Sequence, residues 1–124
     1  MIHGYTNIPQ SKKLAEFLPL KSADMHYERV YFEGKQSDWF VKLGTPIKSD
    51  DIIPCWSLAA LINVLPRSIK FKDDKYYLRF MKEYVEYAND EVSITGRCLH
   101  TTGNDNLIDA AFEMVVKLKE NNLL

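Results

Sequence analysis

Cysteine is scarce in this chain. Two among 124 residues, Cys55 and Cys98, make no close pair, so neither a disulfide framework nor a zinc-type spacing is present. Two reduced thiols in a cytoplasmic protein is the simpler expectation, with a bridge between them left as the alternative. Glycine is also sparse: five residues, scattered, form no phosphate-cradling loop. His3, His26 and His100 stand apart, and no pair of His, Cys or Asp has ligand spacing, while Asp50-Asp51 and Asp73-Asp74 read as turn pairs before ion sites. No metal and no other cofactor is expected. Sixteen basic residues against seventeen acidic ones leave a net charge of -1, so no global field selects nucleic acid or an anionic membrane. The longest apolar run is interrupted by Ser57 and Asn63 and is too short to span a bilayer. The opening segment "MIHGYTNIPQSKK" lacks a basic stretch leading into an apolar one, so no secretory signal is expected.

With 46% hydrophobic and 27% charged residues, and no repeat or linker, one globular domain over residues 1–124 is expected. A helix is predicted from Ile8 to Leu18, capped by Asn7 with Gln10 three residues on, and stopped by Pro19. "MHYERVYFEG" reads as a strand and "WFVKL" as its antiparallel partner across the turn "EGKQSD". "GTPIKSDDIIP" reads as a loop, and "PCWSLAALINVL" as a second, well-buried helix over Pro54 to Leu65. Alternation then predicts a meander of three or four strands from Arg67 to Thr102, with turns at Asp73-Asp74 and Asn89-Asp90. Asn106 caps a last helix to about Glu120, its stripe formed by Leu107, Ile108, Ala111, Met114, Val115 and Leu118. The order α-β-β-α-β-β-β-(β)-α is that of an α+β domain, three helices on a mainly antiparallel sheet.

Three stretches, "QSKKLAEFLPLKSADM", "IPCWSLAALINVLP" and "DNLIDAAFEMVVKLKENNLL", resemble a family of short uncharacterised proteins from anaerobic gut bacteria and their phage-like or mobile elements. The resemblance implies a mobile-element setting and no particular reaction, cofactor or catalytic residue.

Cys55, at the start of the predicted second helix, is the sharpest chemical candidate. A helix N-terminus stabilises a thiolate, and His100 followed by Asn104 or Asp105 would complete a papain-like order of nucleophile, base and orienter. Against this, Ile-Ile-Pro stands where a glycine-rich lead-in belongs, Asp50 and Asp51 would repel a thiolate, and free cysteine is among the most buried residue types. A buried, packed Cys55 unpaired with His100 is expected.

Between Arg67 and Lys82 six basic residues face Asp73 and Asp74, whereas Glu83 to Glu120 carries eight acidic and three basic ones. Lys70, Lys72, Tyr77 and Arg79 would share one sheet face, combining phosphate-binding charge with an aromatic platform; the competing reading is a solvated hairpin. Seven tyrosines, most of them on predicted strands, supply either cross-strand packing or interface anchors. No complete active-site set appears. The expectation is a non-catalytic cytoplasmic module that binds a macromolecule, protein before nucleic acid, with a homo-oligomer included and a membrane excluded. A nucleic-acid-binding accessory protein and a small cysteine hydrolase are the alternatives. The working surface is expected on the exposed sheet face or an edge strand.

Overall fold

The computed structural model describes residues 4–89, 97–101 and 106–124, side chains of Arg97 and Cys98 excepted. Its helices and antiparallel sheets make an α+β fold. Contacts divide the chain into two compact units, Gly4–Ala60 and Leu61–Leu124.

In the first unit, helix α1 (Ile8–Ala15) begins in a complete capping box: Asn7 Oδ1 accepts from Gln10 N–H at 2.8 Å and Gln10 Oε1 from Asn7 N–H at 3.0 Å. It ends three residues earlier than the pattern predicts. The residues before Pro19 leave the helix, as the proline ring disfavours helical backbone just ahead of it.

The expected hairpin forms, but its first strand splits. Strand β1 (Met25–Glu28) pairs with β4 (Phe40–Leu43), and a two-stranded ribbon of β2 (Tyr31–Phe32) and β3 (Lys35–Gln36) lies between them in sequence. Glu33 and Gly34 turn the ribbon with φ of 50° and 78°, the left-handed pair a type I′ turn needs.

A correction falls on "GTPIKSDDIIP". Its end is a strand, β5 (Ile52–Cys55), which pairs with β1 to give the sheet order β4-β1-β5. Pro54 fits there for a geometric reason. Arg29 N–H donates to Asp51 O at 3.1 Å, so by antiparallel alternation the His26↔Pro54 pair is a non-hydrogen-bonded one and the missing N–H costs nothing. Helix α2 (Leu58–Val64) accordingly starts after Cys55. Its cap is Ser57, whose Oγ accepts from Ala60 N–H at 3.1 Å and donates to the Asp24 carboxylate.

The second unit is the expected meander, a four-stranded sheet ordered β6 (Ser68–Phe71), β7 (Asp74–Phe80), β8 (Val85–Ala88), β9 (Arg97–His100), followed by helix α3 (Leu107–Glu120). Asn106 Oδ1 caps α3 by accepting from Ile108 N–H at 3.1 Å. The helix buries Ile108, Ala111, Met114, Val115 and Leu118, as its stripe predicts, and packs against β8 and β9. Thr101 Oγ1 donates to Ala110 O at 3.1 Å and so marks the helix-facing side of the sheet, which carries Ile69, Leu78, Val85 and Tyr87. Asp90, residues 91–96 and residues 102–105, Asn104 and Asp105 among them, lie outside the described residues, as does His3.

Candidate binding surfaces

Cys55 closes β5 and is fully buried; the expected place in a helical N-terminal turn is not the observed one. The thiol is free and donates to Thr6 O at 3.4 Å, and Thr6 Oγ1 lies 3.7 Å from the sulfur. Thr6 Oγ1 also accepts from Trp56 N–H at 3.1 Å and meets Ser11 Oγ at 2.8 Å, while Tyr27 Oη donates to Thr6 O at 2.8 Å. Burial pushes the thiol above its ordinary value of 9.0, outweighing the hydroxyls that stabilise a thiolate. Burial likewise pushes Tyr27 up to about 12. This nexus joins the N-terminal segment, α1, β1 and β5, and its chemistry is that of a packed polar knot. His100 belongs to the other unit, where its Nδ1 lies 3.7 Å from Glu86 Oε2 and its ring centre 4.5 Å from that of Tyr84.

Three of the four surface residues expected together are together. On β7 the side chains turned away from α3 are Lys75, Tyr77 and Arg79. Register places Lys70 opposite Lys75, Ser68 opposite Tyr77, and Glu86 opposite Arg79. Lys72 is the exception and a correction: with φ of 51° it occupies the turn with Asp73 (φ 69°), and Phe71 and Asp74 close the loop. The expected turn at Asp73-Asp74 is thus shifted by one residue. Lys75, one of the six basic residues of this stretch, takes the place expected of Lys72, and its Nζ lies 5.5 Å from the Tyr77 ring centre. Glu86, 6% exposed, carries a carboxylate into the same face between Arg79 and His100. Among the described residues no group of three His, Cys, Asp or Glu side chains converges as a metal site.

A second surface escaped the sequence reading. Val30, Tyr31, Phe32, Phe40, Leu43 and Ile47 are all exposed large apolar side chains, Phe32 at 75% and Leu43 at 84%. Tyr31 and Phe32 form β2, Phe40 and Leu43 lie on opposite faces of the edge strand β4, and Val30 and Ile47 stand just outside these strands. Gly44 N–H donates to Asp24 O at 2.9 Å, so alternation turns the backbone groups of Phe40 and Lys42 toward β1 and those of Val41 and Leu43 outward. At the ribbon's base the Arg29 guanidinium stacks over Trp39 at 4.4 Å and donates to Asp51 at 3.0 Å, which fixes the direction of the arm. The sequence signal was faint: alternating strands predict one wet face, and "RVYF" alone does not say that its apolar side chains stay outside. Among the described residues no helix is long and apolar enough to cross a membrane. Comparison with protein-family models, with curated proteins and with solved structures returned no match.

Proposed function

We propose that the protein is a non-catalytic binding module of the cytoplasm, encoded in a mobile-element setting, that takes another protein chain along the outer edge of β4, a second copy of itself included. One observation carries the reading. The outward backbone groups of Val41 and Leu43 lie on an edge strand that also carries exposed Phe40 and Leu43, so strand addition would satisfy donors and acceptors while removing apolar surface from water. Monomeric proteins usually blunt such edges with charge, and the lysine of β4, Lys42, is instead paired with Glu28 of β1 at 3.3 Å. A hydrolase is disfavoured by the burial of Cys55 and by the raised proton affinity of its thiol.

Phe32→Ser combined with Leu43→Lys tests the reading through light scattering after size exclusion and through affinity capture. The parent should self-associate or retain a specific protein, and the variant should lose this with its thermal transition unchanged. A parent that is monomeric and captures nothing, or a variant that associates as the parent does, refutes it.

A further inference from the structure

The face of the second unit turned away from α3 has a layout that packing does not require. Lys70 and Lys75 are direct cross-strand partners. Leu78 N–H donates to Arg67 O at 2.9 Å, so alternation makes Lys70↔Lys75 a non-hydrogen-bonded pair, the kind whose side chains stand closest. Like charges in that relation oppose pairing. Beside them Tyr77 stands between two small cross-strand neighbours, Ser68 and Ala88, which leave part of its ring uncovered; it is 51% exposed. A shallow cleft of about 680 Å3 runs past Asp73, Lys75, Tyr77 and Asn89, and a recess of about 460 Å3 adjoins it along Ser68 and Lys70. Both lie in the size range of small-ligand sites.

We infer that this face binds the nucleotide unit: a flat base stacked on Tyr77, with phosphate held by Lys70 and Lys75. Stacking on an exposed aromatic ring flanked by cations is tolerant of base identity and needs an unpaired base. The paired lysines, whose mutual repulsion a bound phosphate relieves, supply the anion site. Arg79 lies opposite Glu86 in the β7–β8 register, away from the Lys70–Lys75 pair. Asp73 and Asp74 reduce the positive excess at the turn end, which works against indiscriminate duplex binding and leaves carboxylate acceptors for exocyclic amino groups. The ligand is a free mononucleotide or a nucleotide within a single strand. This goes beyond the edge-strand reading and uses none of its residues, so either can fail alone.

Fluorescence anisotropy with labelled eight-nucleotide oligo(U) and oligo(dT), alongside calorimetric titration with AMP and UMP, separates the two sources. Saturable binding of the oligomers alone assigns the site to single strands, whereas mononucleotides binding as tightly assign it to free nucleotide. With two lysines engaged, oligomer affinity should fall about sevenfold between roughly 50 and 200 mM salt, a log–log slope of about -1.4. Tyr77→Ser should weaken binding by about tenfold and Tyr77→Phe should restore it. Lys70→Gln with Lys75→Gln should flatten the salt dependence. These side chains are exposed, so circular dichroism should match the parent; should Tyr77→Ser unfold, the lysine pair alone decides. Absence of binding by every ligand overturns the inference, as does binding that survives both sets of substitutions with its salt slope unchanged.

Discussion

Thr6 and Cys55 satisfy each other across 49 positions of sequence: the thiol donates to the Thr6 carbonyl at 3.4 Å, and the Thr6 hydroxyl lies 3.7 Å from the sulfur. Both residues are fully buried. Their pairing ties the segment before α1 to the end of β5, and the same hydroxyl serves Trp56 and Ser11.

Replacing Thr6 by valine keeps the shape and deletes that hydroxyl. The buried Trp56 N–H would lose its acceptor, and an unsatisfied buried donor costs about 1–3 kcal/mol. Urea denaturation of Thr6→Val should show a loss in that range; an unchanged midpoint would remove Thr6 from the centre of this unit.

Cys55 should be inert in the native protein at neutral pH, being buried and held protonated. Iodoacetamide followed by peptide mass spectrometry should find Cys55 unlabelled under native conditions and labelled in urea. Fast native labelling would reopen the hydrolase reading.

Stability should fall as the solution becomes alkaline. Cys55, Tyr27 and Tyr87 all have proton affinities raised by burial, so above the ordinary values of 9.0 and 10.0 the unfolded chain releases protons that the folded one keeps. Fewer protons on the unfolded state means a negative slope of stability with pH, beginning near pH 9 and continuing past about 12, where folded Tyr27 titrates. Tyr27→Phe should be less stable at pH 7, having lost the bond to Thr6 O, and should show a shallower decline between pH 10 and 12. Equal slopes for the two proteins would contradict the assignment.

Leu118 on α3 is fully buried, and Leu118→Ala should cost about 2–5 kcal/mol in thermal or chemical denaturation. A neutral result would mean that α3 does not pack on the sheet.

The Lys72-Asp73 turn holds two side-chain-bearing residues at positive φ. Lys72→Asn with Asp73→Gly suits that backbone, and a gain of about 1 kcal/mol is expected in the same assay. A loss would show that the lysine or the aspartate makes a compensating contact.

Much of this fold is legible from local chemistry. The Asn7–Gln10 capping box, the α3 stripe and the alternation through Tyr76, Tyr77 and Leu78 state helix, helix and strand within a few residues. The errors arise where one residue suits two settings. Pro54 fits a first helical turn or a strand edge, and only the position of β1 chooses. The Ser57 cap lies three residues beyond the proline, which by itself points to an earlier helix start. Lys72 looked like part of an alternating face because a type I′ turn usually announces itself with Asn-Gly. Of the surface, Lys70, Tyr77 and Arg79 follow from period two, whereas Glu86 and His100 meet only through the β8–β9 register. The apolar arm was not legible, since exposure is a property of what fails to pack.

Pro54 also acts as a key for strand alignment. Sliding β5 by one residue against β1 would bring Pro54 to a hydrogen-bonding position it cannot fill, and would turn Cys55 and Ile53 out of the core they share with Met25 and Tyr27. The two penalties coincide, so the misaligned pairing is rejected by backbone and side chains together. A hydrophobic segment such as Ile-Ile-Pro-Cys, otherwise prone to slip, carries its own proofreading residue.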